Sequence, residues 1–379
     1  MDKGQALSFH RRFTRASRIP GTAVFLAMAG ILLISTGLLS ASPKLERVGD
    51  RFLLDGRPFK PWGVRVASAS QLEKETGRDL SKLLIENLPE YKRHGINAVT
   101  VFYQGSSGTY DDAFSPDGTK IQPAHQARME SIIRACADLD MVVVVGIFYQ
   151  RTMADGHKLK LANPAAAREA VRTVATVLKP YRNVIINIAN EQNSGYYSKC
   201  SFIKEFDLRE PALLMELCRL VKSVDPDRLV GAGGYDHDKN EIIGRSPDVD
   251  VLLFDTLGKQ DSGELYDRFV KAGVTGKPIV NVELYGAWTA GFPDALKPPG
   301  NFVAAKDVFL RDIQAAGERP GLSVFLHSNV WFQGVGDGVT NRYDLGGQGT
   351  AEDPGVRWYF EAIRSRSQAS RNEEPRTKN

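Results

Sequence analysis

Residues Asn183 to Asn193 read NVIINIANEQN. Val184, Ile185, Ile186 and Ile188 form a β-branched run interrupted by Asn187, the pattern of a strand buried on both faces. At Asn190-Glu191-Gln192-Asn193 the run gives way to amides around one carboxylate. Ligands of parallel α/β proteins gather at the carboxyl ends of strands, so a functional acid would stand there. A second stretch, KPIVNVELYGAW from Lys277 to Trp288, is apolar from Ile279 to Val282 apart from one amide and stops at Glu283, 92 positions after Glu191. Two strand ends thus each carry a glutamate.

Outward from these two stretches the chain alternates. Helical patterns are expected at Ser81 to Arg93, Pro123 to Asp138, Pro164 to Leu178, Pro211 to Val224, Lys239 to Gly244, Ser262 to Ala272, Asn301 to Ala316 and Pro354 to Arg364. Between them lie short apolar runs: Gly63 to Val66, Ala98 to Phe102, Met141 to Phe148, Val184 to Ala189, Leu229 to Ala232, Val249 to Phe254, Pro278 to Val282 and Leu322 to Leu326. Eight strands and eight helices in about 320 residues predict an α/β chain closed into a (β/α)₈ TIM barrel rather than an open sheet. Ahead of the first strand, turn pairs at Gly49-Asp50 and Asp55-Gly56 predict a short N-terminal β-hairpin, placed near the amino end of the barrel strands. There is no internal repeat and no second domain.

At 379 residues, 42% hydrophobic and 25% charged, the composition is that of an ordinary globular protein. The net charge of +4 is concentrated at the two ends, and no basic run interleaved with aromatics crosses the middle, so no nucleic-acid partner is expected. Thr22 to Ala41 is twenty residues without a charge, preceded by Arg11, Arg12, Arg15 and Arg18. A basic flank followed by an apolar run addresses the chain across a membrane. Residues 1–42 are therefore expected to be a signal peptide or a signal anchor, both remaining open, with membrane contact only through this segment. Residues 43–364 should form the barrel and 365–379 a disordered polar tail.

Cys136, Cys200 and Cys218 are too few for a disulfide framework, although Cys200 and Cys218 could pair in an oxidising compartment. None has metal-ligand spacing, and His237 between Asp236 and Asp238 falls far short of a metal site. No glycine fingerprint follows any strand, so neither a nucleotide nor another cofactor is expected.

Two glutamates held across a barrel mouth suit glycosidic chemistry. One protonates the leaving oxygen and the other, about 5 to 5.5 Å away in retaining enzymes, attacks the anomeric carbon. The whole arrangement resembles the retaining glycoside hydrolases of the (β/α)₈-barrel clan, which includes cellulases, mannanases and β-galactosidases. The resemblance runs from Leu45 to about Arg364. GDRFLLDGRPFKPWGVRV is similar to the clan's opening hairpin and first strand, PAHQARMESIIRACADLDMVVVVGIF to the second helix and third strand, NVIINIANEQN to the fourth strand and KPIVNVELYGAW to the seventh. It implies Glu191 as acid/base, Asn190 as donor to the sugar 2-hydroxyl, Glu283 as nucleophile and Trp331 as an aromatic floor. Tyr285 would line a subsite, and Arg65 would face the mouth. The implied substrate is an oligo- or polysaccharide, with no cofactor or metal.

The match is incomplete. Where many cellulase-like members carry Arg after strand 2 and His after strand 3, this chain has Phe102-Tyr103-Gln104 and Phe148-Tyr149-Gln150-Arg151, and strand 6 ends in Phe254-Asp255-Thr256. Arg65 on strand 1 is the candidate replacement for the arginine. These departures motivate an alternative in which the barrel keeps its cleft as a glycan-binding protein without turnover. An esterase would need a G-x-S-x-G elbow, which is missing.

Overall fold

The computed structural model describes residues 42–373 except 74–75, 107–109, 155–157, 257–260, 285–305, 329–330, 334–340 and 351. Three short strands come first: β1 (Leu45–Val48), β2 (Arg51–Leu54) and β3 (Arg57–Phe59) form an antiparallel sheet. Eight parallel strands then close a barrel in sequential order. They are β4 (Trp62–Arg65), β5 (Ala98–Phe102), β6 (Val142–Phe148), β7 (Val184–Ala189), β8 (Leu229–Ala232), β9 (Val251–Asp255), β10 (Ile279–Leu284) and β11 (Leu322–Leu326). Each expected run is found as a strand, its ends shifted by two residues at most.

The helices wrap the barrel: α1 (Leu80–Arg93), α2 (Pro123–Ala137), a single turn α3 (Gln150–Met153), α4 (Pro164–Leu178), α5 (Pro211–Val224), α6 (His237–Arg245), α7 (Ser262–Lys271), α8 (Lys306–Glu318) and α9 (Arg357–Glu373). Their starts follow local chemistry. Asp79 and Asn163 accept hydrogen bonds from the Ser81 and Ala166 amides, and prolines open α2, α4 and α5 where a missing N–H is harmless.

The hairpin plugs the amino end. Phe52 and Leu54 pack with Val142, Ile185, Leu229 and Val251 from the first turns of four strands, and Leu45 N–H donates to Arg182 just before β7 at 3.0 Å. That closes one end of the cylinder and leaves the carboxyl end for the site.

Three expectations are revised. Helix α9 runs to Glu373, nine residues past Arg364, because no Gly or Pro interrupts residues 356–374, so the first part of the expected disordered tail is helical. Helix α8 begins at Lys306 within the expected Asn301 to Ala316 and continues to Glu318, while 301–305 fall outside the described residues. Cys218 is an unpaired thiol buried on α5, so the pairing with Cys200 does not form. Thr22 to Ala41 lies outside the described residues, and among those described no helix is long and apolar enough to cross a membrane.

The plug predicts a stability cost. Phe52→Ala should destabilise the protein by about 3–5 kcal/mol in urea unfolding, the usual loss for a buried Phe truncated to Ala. An unchanged midpoint would show that the hairpin does not close the barrel.

Candidate active site

Strand β7 delivers Glu191 by an abrupt change of backbone. Its pairing with β6 extends to Asn190, whose N–H donates to Phe148 O at 2.9 Å. Glu191 then takes φ +41°, a left-handed conformation that costs a side-chain-bearing residue about 1–2 kcal/mol. Two hydrogen bonds hold the strained turn: Ser194 N–H to Glu191 O at 2.8 Å and Tyr197 O–H to Asn190 O at 2.6 Å. The carboxylate is thereby turned into the barrel mouth instead of continuing the strand.

Strand β10 uses a bulge. Asn281 pairs with Phe254 and Glu283 with Asp255, so two steps on β10 match one on β9, and a shift also occurs against β11. An extra residue of this kind re-aims the side chain that follows it. Asn281, the lone amide in the apolar run, fixes the bulge: its Oδ1 accepts from Glu283 N–H at 3.1 Å and its Nδ2 donates to Thr256 and Ser262 at 3.2 and 2.9 Å.

Together these two devices bring Glu191 and Glu283 to one place. Carboxylate oxygens of Glu191, Asp255 and Glu283 all lie within 4.8 Å of one another. Asp255 is the last residue of β9; the sequence marks it only as a departure from the family pattern and not as a member of the site. Arg65, fully buried on β4, faces this cluster. Its Nη2 donates to Asn190 Oδ1 at 2.6 Å and Tyr149 Oη at 3.3 Å, and lies 3.5 Å from Glu283. Its Cζ stands 5.2 Å from the Phe102 ring centroid and 5.8 Å from that of Tyr149, so the aromatic residues at the ends of the second and third strands form its bed. On the far side His327, directly after β11, has Nε2 at 3.4 Å from Glu283 and 3.0 Å from Gln333 Nε2. His327 was also missed; its signal was its place as the first residue beyond a strand.

The electrostatics follow from burial. Burial first, and the charge of Glu283 second, push Glu191 up to about 8 against the pull of Arg65. Asp255 is pushed well above the carboxylate range by burial and then by Glu283 and Glu191. For Arg65 burial works against the charge, yet Glu283, Tyr149 and Glu191 outweigh it and hold the guanidinium firmly protonated.

Asn190 accepts from Arg65 through its oxygen, and its Nδ2 has no hydrogen-bond partner among the described residues, the arrangement of an amide available to a ligand. Trp331 is 5% exposed: its Nε1 donates to Asp344 O at 2.7 Å and Arg342 Cζ covers its ring at 4.3 Å. A sugar would reach that ring only with Arg342 displaced. Tyr285 lies outside the described residues. His237 packs against Phe254 and Phe269 at the start of α6, with Asp236 capping the helix, so this trio serves the fold. The three carboxylates are a donor set a divalent cation could use, but the Arg65 guanidinium already supplies a positive charge against Glu283.

Residues 84–256 match the family model described as cellulase (glycosyl hydrolase family 5). Among solved structures, the family 5 mannosidase from Rhizomucor miehei aligns at TM-score 0.58 and 14% identity over 88% of this chain and 100% of its own. The β-mannanase of the blue mussel Mytilus edulis aligns at TM-score 0.52 and 15% identity over 86% and 96%. No curated protein matches the chain in sequence. The protein is a (β/α)₈-barrel glycosidase. The glycosidase also aligns with a family 2 β-galacturonidase from Eisenbergiella tayi at TM-score 0.55 and 15% identity, covering 86% of this chain but only 54% of that one. At such identities the structural matches speak for the fold, while the sequence match to the family model bears on the chemistry.

Because Asn281 fixes the bulge, Asn281→Ala in the glycosidase should lose about 1–3 kcal/mol of stability and about 10 to 100-fold in kcat/KM, with Glu283 no longer held in register. Denaturation and turnover of an aryl glycoside measure both, and a variant with full activity would refute the role of the bulge.

Proposed function

We propose that the protein is an exported retaining glycosidase that cleaves β-linked O-glycosides by double displacement. The observation that carries this reading is the separation of Glu191 and Glu283, whose carboxylate oxygens approach within 4.8 Å. Retaining pairs stand about 5–5.5 Å apart, whereas inverting pairs leave about 6.5–9.5 Å for a water molecule. Glu283, against Arg65 and His327, is the nucleophile; its oxygen bonds the anomeric carbon as the glycosidic bond breaks. Glu191, kept protonated by partial burial and by the charge of Glu283, gives its proton to the leaving oxygen and afterwards takes one from the attacking water. Asn190 offers its spare N–H to the sugar, and Trp331 would serve as a stacking wall once Arg342 moves aside.

The glycan-binding alternative drew its motive from the missing arginine and histidine. Arg65 stands against Glu283 from a different strand, which weakens that motive. A site built only to bind would also gain nothing from confining three carboxylates in a buried pocket.

The roles predict separate failures. Glu283→Ala should abolish turnover of a panel of aryl β-glycosides, because no covalent intermediate can form. Glu191→Ala should retain the first step for dinitrophenyl glycosides, and added azide should restore the second, giving glycosyl azides of retained configuration. Azide products of inverted configuration would exclude the retaining mechanism.

The pH dependence has a defined sign. Glu191 acts as its protonated form, so kcat/KM should fall as pH rises through about 8, and Glu191→Gln should lack this limb.

Export rests on the arginine-flanked run Thr22 to Ala41. Cell fractionation should place the protein outside the cytoplasm, soluble or membrane-held, and full-length protein free in the cytosol would contradict it.

A further inference from the structure

Beside the two glutamates stands a third carboxyl group to which the double-displacement mechanism gives no task. Asp255 is 1% exposed, its Oδ1 has no hydrogen-bond partner among the described residues, and one of its oxygens lies within 4.8 Å of an oxygen of both Glu191 and Glu283. Among the described residues, the charged and titratable groups facing this pocket come from several strand ends. They are Arg65 from β4, Tyr149 after β6, Glu191 and Tyr197 after β7, Tyr235 after β8, Glu283 from β10 and His327 after β11, with Arg151 on α3 further out. Arg65 is the cation in direct contact with the cluster. Three ionised carboxylates against one guanidinium would leave the pocket with excess negative charge. At this spacing, in a site shielded from water, like charges disfavour one another's ionisation.

Such a pocket relieves repulsion by retaining protons. Glu191 holds one for leaving-group protonation, and the burial of Asp255, with Glu283 and Glu191 beside it, provides for a second. Register decides which neighbour receives it: Asp255 and Glu283 are directly paired across β9 and β10 immediately after the bulge.

We propose that Asp255 is a positioning residue held as the neutral acid, whose O–H is directed at the Glu283 carboxylate and keeps it oriented for attack. A gap of up to 4.8 Å exceeds an O–H···O⁻ bond of about 2.5–2.7 Å, but the terminal torsions of Asp and Glu are broad, and their rotation or one bridging water closes it. The proton stays on Asp255 throughout the reaction. When Glu283 bonds the anomeric carbon, the proton that leaves with the aglycone is the one on Glu191. The hydrogen bond from Asp255 is strongest while Glu283 is anionic, both before attack and as the glycosyl ester breaks.

The protonation itself does not depend on the glycosidase reading, although its consequence does. Infrared difference spectra of the full-length protein at neutral pH, against Asp255→Asn and Asp255→Ala, therefore come first. Both variants should lose one protonated-carboxyl band that Glu191→Gln retains, and either variant is sufficient if the other fails to fold. No band lost in either would overturn the proposal without touching the roles of the glutamates.

Kinetics supply the second readout. Asp255→Asn removes no charge from a neutral acid, so the alkaline limb near pH 8 should stay in place while kcat falls by about tenfold. Displacement of that limb downward by a unit or more would mean that Asp255 had been ionised, and would refute the proposal. Asp255→Ala, which lacks any donor, should fall about tenfold further with the limb unmoved, and equal activity of the two variants would refute the donor role. Absence of turnover in the parent would count against the proposed function and leave the infrared result standing.

Discussion

A single buried guanidinium ties the mouth of the barrel together. Arg65 is 0% exposed, and from the first barrel strand it reaches Asn190 beyond the fourth, Tyr149 beyond the third and Glu283 on the seventh. Burying a charge is costly unless it is paired, and removing one partner leaves the other stranded. Each of these residues is therefore held in place by the others, and the geometry of the glutamates depends on the arginine at their centre. The Phe102 and Tyr149 rings beside it supply a bed for the guanidinium.

Polar groups at the two ends of the barrel are treated differently. Near the amino end they work for the fold. Arg228 donates to Leu178, Tyr181 and Val184 carbonyls, Lys277 to Ser246 and Val249, and Asn183 to Ile133 and Met141. At the carboxyl end Asn190 Nδ2, the side-chain nitrogen and oxygen of Gln192, Asp255 Oδ1 and two nitrogens of Arg65 have no hydrogen-bond partner among the described residues. Buried polar atoms are rarely left so, and their concentration around the carboxylates marks a place organised to receive polar hydroxyl groups. The strained φ of Glu191 and the bulge before Glu283 belong to the same end.

The structural relatives share this barrel at 14–15% identity, and the family model covers residues 84–256, short of Glu283. Around Arg65 and Glu283 this chain brings together an arginine from strand one, a tyrosine after strand three and an aspartate ending strand six.

Much of this was legible without coordinates. The period of apolar runs and helical faces determined eight strands, eight helices and closure, because burial on both faces forces the β-branched pattern into the sequence itself. The positions of Glu191 and Glu283 were legible for the same reason, since a buried run must end where polar residues begin. What only the tertiary structure decided is the set of contacts across the mouth. The 4.8 Å cluster that includes Asp255, the reach of Arg65 to Asn190 and Glu283, the approach of His327 and the cover of Arg342 over Trp331 join residues far apart in the chain. Those contacts depend on strand register, on one bulge and on one left-handed residue. Periodicity records which face of a strand is buried, but it carries no record of how strands are staggered around a closed barrel.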